Sequence, residues 1–165
     1  SRAGGGGGGS GRGGGLRTAD TRRLTLTKRR GRSPMTQPNR FQNLVAGAKE
    51  RITEISPAAA QAETESGSAL LIDVREESDW RNGHAVGARH LSRGIVELEI
   101  EDEAPNLEQP IICYCGGGSR SALVAESLQK MGYTNVKSMA GGMGAWREVG
   151  LPVTGAQKSR SGFSS

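Results

Sequence analysis

The sequence has few of the residues that form disulfide frameworks, membrane spans or metal sites. Its 165 residues include two cysteines, Cys113 and Cys115, and two histidines. Two cysteines separated by one residue cannot form a disulfide framework, which predicts a reducing, cytoplasmic setting. No apolar run approaches membrane-spanning length, and none resembles the apolar stretch of a signal peptide. Cys-x-Cys with two histidines is a poor zinc pattern, so we expect no metal, no cofactor and no membrane.

The first 34 residues have almost no acidic or apolar side chains. They contain nine Lys and Arg residues against one acid, Asp20, a balance of +8. Because the whole chain carries +5, residues 35–165 carry −3. The basic character therefore belongs to this segment, and we expect no nucleic acid as a partner of the folded domain.

Glycine is concentrated in the same segment, which holds eleven of the 26 glycines. Such a segment cannot bury enough apolar surface to offset its ordering entropy, so residues 1–34 are predicted to be a disordered tail. It has three candidate origins: a basic arm that binds RNA or DNA, an organelle transit peptide, or translated sequence upstream of the true start. We favour the third, because Met35 opens a stretch of ordinary composition.

The N-terminal part of the remaining chain has helical spacing of apolar residues, followed by a second helix signal. Residues 35–50 are predicted to form an amphipathic helix with a packing or dimerisation face, and a short strand is expected near residues 52–55. Ser56 and Pro57 then predict the cap and first turn of a helix that ends at Gly67. The apolar stripe consists of Phe41, Leu44, Val45, Ala48, Ile52 and Ile55.

Two short apolar runs, at residues 69–74 and 110–114, are typical of strands buried on both faces, and residues 136–139 are predicted to form a third strand. Between the first two strands we expect a loop with a short strand at 89–91, a helix at 95–100 and an exposed acidic turn at 101–103. A helix ending at Gly132 and another at 143–148 follow the second and third strands. This alternation predicts one α/β domain over residues 51–155, a central parallel sheet flanked by helices on both faces. Residues 156–165 are predicted to be a disordered C-terminal tail.

The most informative segment lies between the second buried strand and the helix after it. In an open α/β sheet, ligands bind beyond the carboxyl ends of the strands, where this loop must lie. Three consecutive glycines allow several backbone N–H groups to point to one place, and such a concavity at a helix N-terminus binds anions. The segment reads Cys115-Gly116-Gly117-Gly118-Ser119-Arg120.

Cys115 lies at the rim of this expected concavity. Backbone donors, the helix N-terminus and Arg120 should lower the pKa of its thiol and make it reactive near neutral pH. The same donors would hold an incoming oxyanion.

The motifs around this loop resemble the rhodanese-like domain family over about residues 50–153. The first half carries Leu71-Ile72-Asp73-Val74-Arg75-Glu76 and Trp80-Arg81-Asn82-Gly83-His84-Ala85-Val86-Gly87-Ala88. The second half carries Tyr114-Cys115, Ser119-Arg120-Ser121-Ala122 and Gly141-Gly142-Met143-Gly144-Ala145-Trp146.

The resemblance implies a rhodanese-like fold and a single-domain sulfurtransferase, of the thiosulfate:cyanide type. Cys115 would carry the sulfur as a persulfide, and the cradle would be Gly116, Gly117, Gly118, Ser119 and Arg120. Asp73 and Arg75 would be structural or adjacent to the substrate. The donor would be a small sulfur-containing anion such as thiosulfate, polysulfide or a small persulfide, and the acceptor a thiol or protein cysteine.

The sequence departs from the family pattern at two places. Many members have a charged or bulky residue directly after the cysteine, where this chain has Gly116, which leaves the donor preference open. The family's Gly-His-Ile-Pro-Gly-Ala appears as residues 83–88 with Val86 in place of proline, which changes loop stiffness more than chemistry. His84 in this motif is predicted to fix the loop rather than act as a general base.

Three other interpretations of the site stay open at this point. A cysteine-based phosphatase or arsenate reductase also uses a Cys…Arg cradle, although its arginine stands six residues after the cysteine and Arg120 stands five after Cys115. A non-catalytic binding or regulatory module is the second, although such modules usually lose the cysteine. In the third, Cys113 resolves a persulfide on Cys115. Trp80 and Trp146 are predicted to be packing residues.

Overall fold

The computed structural model describes residues 37–155. The predictions for residues 1–34 and 156–165 lie outside the described residues. The helices are α1 (Arg40–Arg51), α2 (Pro57–Glu65), α3 (Glu77–Arg81), α4 (Val96–Glu103), α5 (Ser119–Lys130) and α6 (Gly142–Glu148). The strands are β1 (Thr53–Ile55), β2 (Leu70–Asp73), β3 (His84–Ala85), β4 (Arg89–His90), β5 (Ile111–Tyr114), β6 (Val136–Met139) and β7 (Val153–Thr154).

Five of these strands form one parallel sheet in the order β1-β6-β5-β2-β4. The three predicted strands are its central strands β2, β5 and β6, which confirms the predicted α/β class. Strands β3 and β7 pair antiparallel in a separate two-stranded sheet. Because all five strands of the main sheet run the same way, the loops after β2, β5 and β6 leave from one edge.

The two faces of the sheet carry separate apolar cores, as expected when helices cover both sides. Alternate residues of β5 point to opposite faces. Ile111 and Cys113 join a core with residues of α4 and α5, whereas Ile112 and Tyr114 join one with residues of α2 and α6. This alternation decides on which side of the sheet the residue after the strand, Cys115, will lie.

Side-chain caps fix the starts of the first two helices. Asn39 and Gln42 form a capping box at α1, so this helix begins at Arg40 and not at residue 35. The Ser56 side chain accepts a hydrogen bond from the Ala59 N–H and caps α2, as predicted. Across the described residues, no helix is both long and apolar enough to cross a membrane.

Helix α1 packs on α5 through a smaller apolar contact than the sequence pattern predicted. Val45 and Ala48 are buried against residues of α5. Phe41 and Leu44, also assigned to the apolar stripe, are 45% and 55% exposed. Within the chain these two residues of the stripe stay uncovered, because α5 covers only a narrow stripe of α1. A dimerisation face stays a prediction.

The acidic residues 101–103 form the last turn of α4 rather than the predicted exposed turn. The helix continues because the Ala104 N–H still donates to the Ile100 carbonyl oxygen. Both residues are buried, and they lie one turn apart on the face that packs on the sheet. The burial of Ile100 and Ala104 therefore carries the helix through an acidic segment that by itself resembles a turn.

A buried polar network ties β2 to β5 on the face that carries α2 and α6. The Asp73 carboxylate, fully buried, accepts hydrogen bonds from the Arg75 guanidinium at 2.9 Å and from the Tyr114 hydroxyl at 2.7 Å. The Tyr114 oxygen accepts from the Ala85 N–H, and Arg75 also donates to the Gly83 carbonyl oxygen. Burial raises the pKa of Tyr114, and the neighbouring Asp73 charge raises it further, so the phenol stays protonated and donates.

We expect Arg75→Ala to lower the free energy of unfolding by about 3–5 kcal/mol, because it leaves the Asp73 charge buried without its cation. The matched control is Arg81→Ala, which removes an exposed ion pair with Glu77 and should cost about 0–0.5 kcal/mol. Urea denaturation at neutral pH measures both. Equal costs for the two variants would show that the network does not depend on the Asp73–Arg75 pair.

Candidate active site

Strand β5 delivers Cys115 to the edge of the sheet where the parallel strands end. Cys115 follows Tyr114 directly and takes the α5 side, because side chains alternate along the strand. The residue is only 1% exposed, so its sulfur lies inside the loop and not on top of it. Cys113 lies on the same face, fully buried within the strand.

The Cys115 sulfur is surrounded by hydrogen-bond donors from the loop and the first turn of α5. The Gly118 N–H lies 3.1 Å from Sγ and the Ser121 N–H 3.3 Å. The Ser121 hydroxyl lies 3.5 Å from Sγ. A neutral thiol donates to this hydroxyl, whereas a thiolate accepts from it, so the arrangement suits both protonation states.

These donors make the two cysteines chemically different. Burial by itself raises the pKa of Cys115, but hydrogen bonds from Ser121, Gly118 and Gly117 outweigh it and leave that pKa below its ordinary value. Burial raises the pKa of Cys113 to about 12, and the nearby Cys115 charge contributes. Cys115 is therefore the more readily ionised of the two thiols, and Cys113 stays a protonated thiol at neutral pH.

The loop faces the sulfur with its N–H groups because its carbonyl groups are held elsewhere. At the start of α6, the Met143 N–H donates to the Cys115 carbonyl oxygen at 2.8 Å. The Gly144 N–H donates to the Gly116 carbonyl oxygen at 3.1 Å. The Gly116 carbonyl shares its peptide group with the Gly117 N–H, which is thereby left facing Cys115 and lowers the pKa of its thiol.

Two glycines are required at this junction by their backbone geometry. Gly118 has φ +101° and caps α5, a conformation that residues with a side chain rarely adopt. Gly142 has φ +57°, and a Cβ there would clash with the Cys115 carbonyl oxygen. A side chain at Gly142 would therefore push the cysteine loop away from α6.

The predicted cradle residues take unequal parts around the sulfur. Gly118 donates its N–H to Sγ, and the Gly117 N–H lowers the pKa of Cys115. A Cβ at Gly116 would lie 3.6 Å from the Arg120 guanidinium, which places this cation beside the start of the loop. Within the described residues, the hydrogen bonds to Sγ come from Gly118 and Ser121, so Ser119 and Arg120 belong to the mouth rather than to the sulfur's contacts.

Two residues in contact around the sulfur were missed by the sequence analysis. Ser121 supplies two of the three hydrogen bonds to Sγ, although the motif that contains it predicts no such role. Behind it, the Ser138 hydroxyl of β6 lies 2.8 Å from the Ser121 hydroxyl. The available signal was a serine next to Lys137 within a short strand, which by itself does not identify its partner.

His84 begins strand β3, shortly after α3, and its ring stacks on Trp80 with centroids 3.3 Å apart. Its Nδ1 donates to the Trp80 carbonyl oxygen at 2.9 Å. His90 stacks near Trp80 as well, and its Nε2 donates to the Arg75 carbonyl oxygen. Both rings thus hold backbone groups, and residues 37–155 contain no group of three potential metal ligands.

Known proteins share sequence motifs with this chain. A model of the Rhodanese-like domain family matches residues 56–149. Thiosulfate sulfurtransferase GlpE of Actinobacillus succinogenes is 35% identical over 101 residues, 61% of this chain and 89% of that protein. A Haemophilus influenzae GlpE is 37% identical over 100 residues, 61% of this chain and 92% of that protein.

Solved structures resemble the fold over a similar length. A Rhodopseudomonas palustris protein of unknown function, described as a possible tyrosine phosphatase, has a TM-score of 0.62 and 31% identity. The match covers 74% of this chain and 100% of that one. The polysulfide-sulfur transferase homodimer of Wolinella succinogenes has a TM-score of 0.60 and 28% identity, over 69% of this chain and 86% of that one. The chain belongs to the rhodanese-like domain family, as the sequence motifs predicted.

We expect Gly142→Ala to lower the alkylation rate of Cys115 at neutral pH by more than about tenfold, because displacing the loop removes donors from the thiolate. The control is Gly144→Ala, where a Cβ would lie an ordinary 3.6 Å from the Gly116 carbonyl oxygen. Iodoacetamide labelling, followed by intact mass, measures both rates on folded protein. Wild-type reactivity in Gly142→Ala would refute the role given to this junction.

The alkylation rate of Cys115 should rise with pH through the lowered pKa of its thiol. It should therefore reach its plateau at a lower pH than that of an ordinary cysteine, because the thiolate is already formed there. The comparison is the same cysteine in the urea-unfolded chain, both in a Cys113→Ala background so that one thiol is read. Coincident pH profiles would contradict the stabilised thiolate.

Proposed function

We propose that this chain transfers sulfane sulfur through a persulfide on Cys115. In the first half-reaction, the Cys115 thiolate attacks the outer sulfur of a donor such as thiosulfate. The Sγ–S bond forms as the donor's S–S bond breaks, and the electron pair leaves with sulfite. The N–H groups of the loop and the Arg120 cation stabilise the anion at the mouth during this step.

In the second half-reaction, a thiophilic acceptor takes the sulfur. Cyanide, a small thiolate or a protein cysteine attacks the outer sulfur of the persulfide. The bond between Sγ and the outer sulfur breaks, and its electron pair returns to Cys115 as thiolate. No net oxidation occurs and no proton need move when both partners are anions, so the chemistry calls for no general base.

The observation that carries this proposal is the stabilisation of a nearly buried thiolate by three hydrogen bonds from Gly118 and Ser121. A group with this environment serves both as nucleophile and as leaving group. The relatives support the same chemistry, because GlpE proteins are thiosulfate sulfurtransferases and the Wolinella succinogenes neighbour is a polysulfide-sulfur transferase. Thiosulfate, polysulfide or a small persulfide is therefore the proposed donor class, and cytoplasmic placement stays a prediction.

The glycines at the mouth leave room for bulky donors and acceptors. A Cβ at Gly117 would meet no atom within 4 Å, so this side of the loop is open. This open side has room for thiosulfate, a polysulfide or a cysteine on another protein to approach the loop. Selectivity thus depends on backbone donors and on Arg120 rather than on a shaped pocket.

Phosphate-ester hydrolysis is the second candidate activity. The reason to consider it is the Rhodopseudomonas palustris neighbour, which is described as a possible tyrosine phosphatase. The loop from Cys115 to Arg120 is one residue shorter than the phosphatase cradle, and it suits a sulfur atom better than a phosphate with its leaving group. A binding module without activity would not need the lowered pKa of Cys115.

The proposal predicts thiocyanate formation from thiosulfate and cyanide, and an added sulfur atom on the protein after thiosulfate alone. Cys115→Ser should abolish both, because the alcohol is neither ionised nor able to carry sulfane sulfur. Colorimetric detection of thiocyanate and intact-mass measurement follow the two signals.

The matched control is Cys113→Ala, two residues earlier on the same strand, which should retain both signals because the Cys113 thiol stays protonated. Wild-type protein that forms neither thiocyanate nor a persulfide, with thiosulfate and with polysulfide, would overturn sulfur transfer. An aryl phosphate assay on the same samples then decides whether the site hydrolyses phosphate esters.

A further inference from the structure

Ser138 is a buried polar residue with no part in the proposed mechanism so far. It lies in β6, is fully buried and is the register partner of Cys113 on the neighbouring strand β5. In the described part of the chain, its hydroxyl hydrogen-bonds to Ser121 alone, at 2.8 Å. Ser121, also fully buried, reaches the Cys115 sulfur with its hydroxyl and its N–H.

We propose that Ser138 is a positioning residue that acts through Ser121 to stabilise Cys115 as the leaving group when sulfur is released. The inference rests on the proposed sulfur transfer and adds a specific role for two hydroxyl groups behind the nucleophile. Neither group touches the donor or the acceptor, because both lie on the inner side of Sγ.

The direction of the hydroxyl protons follows from the charge on Sγ. When Sγ is a thiolate, the Ser121 O–H donates to it, and the Ser121 oxygen then accepts the Ser138 O–H. A hydroxyl that accepts one hydrogen bond becomes a stronger donor in the next, so Ser138 strengthens the bond from Ser121 to sulfur. The pair is shielded from water, which further favours its effect on a nearby charge.

The charge moves during the reaction cycle, and this makes the pair selective for one step. In the persulfide, the negative charge lies on the outer sulfur, and Sγ is neutral and bonded on both sides. When the acceptor attacks the outer sulfur, the electron pair of the breaking S–S bond goes to Sγ. The hydroxyl pair stabilises the charge that appears there, so it lowers the barrier of release rather than that of loading.

The loading step should respond in the opposite sense. A thiolate that loses hydrogen bonds becomes more basic, and an ionised thiolate of higher basicity is the stronger nucleophile. At a pH where Cys115 is fully ionised, loss of the Ser138 hydroxyl should therefore leave loading unchanged or faster, while release becomes slower. General damage to the site would slow both half-reactions.

The test measures the two half-reactions separately in Ser138→Ala, Ser138→Thr, Ser121→Ala and the Ser121→Ala/Ser138→Ala double variant. Protein loaded with thiosulfate and freed of excess donor is mixed with cyanide, and thiocyanate is followed in a single turnover. Loading is followed by quenched intact-mass measurement at alkaline pH. Ser127→Ala, which removes a hydroxyl of α5 that donates to Glu97, is the control and should behave as wild type.

We expect Ser138→Ala to slow release about three- to tenfold, because one hydrogen bond is lost from a buried series of hydrogen bonds. Loading should not become slower. Ser138→Thr keeps the hydroxyl and should restore release. In the Ser121→Ala background, Ser138→Ala should change release no further, because its partner is absent. Equal slowing of both steps, or additive effects in the double variant, would overturn the proposal.

A separate measurement does not depend on sulfur transfer. The pH profile of Cys115 alkylation should shift upward in Ser138→Ala, and this shift should vanish in the Ser121→Ala background. If the wild type forms no persulfide, the proposed function and with it the leaving-group role fail, yet this profile still decides whether Ser138 acts on Cys115. An unshifted profile in a folded Ser138→Ala protein would refute any effect of Ser138 on the sulfur.

Discussion

The N–H groups of Met143 and Gly144, at the start of α6, donate to the carbonyl oxygens of Cys115 and Gly116. A peptide group whose carbonyl points one way presents its N–H to the other side, so the bond to the Gly116 carbonyl oxygen leaves the Gly117 N–H facing Cys115, whose pKa it lowers. The same two hydrogen bonds bring the backbone of α6 so close to the loop that Gly142 admits no side chain. The loop that begins with Cys115 at the end of β5 is thus held by the helix that follows β6.

Side chains alternate along strand β5, and this places the buried polar network and Cys115 on opposite faces of the sheet. Tyr114 points to one face and joins the buried Asp73–Arg75 pair, which fixes the neighbouring ends of β2 and β5. Cys115 points to the other face, where α5 supplies its donors. The two networks lie on opposite sides of one sheet edge, so the sulfur can change its charge without disturbing the Asp73 carboxylate.

In sulfur transfer through a persulfide, the same sulfur atom acts first as the nucleophile and then as the leaving group. Backbone N–H groups are fixed donors and serve both steps, whereas a hydroxyl can turn its proton toward or away from Sγ as the charge moves. In the proposed mechanism, Ser121 and Ser138 supply this adjustable element, while the open space beside Gly117 leaves room for the partners of the reaction. Ser121 contributes donors of both kinds, its fixed N–H and its rotatable hydroxyl.

The sequence by itself determined the α/β class, the three central strands and the place of Cys115 at the start of a glycine-rich loop, because these follow from local patterns. An apolar run such as 111–114 predicts a buried strand whatever its neighbours are. A Cys-Gly-Gly-Gly segment before a helix can direct several backbone N–H groups to one place. It failed where distant partners decide: the burial of Ile100 and Ala104 extended α4 through an acidic stretch. Only the tertiary structure brought Ser138 to Ser121 and the N-terminus of α6 to the cysteine loop, since these contacts join separate elements whose spacing along the chain records nothing of their distance in space.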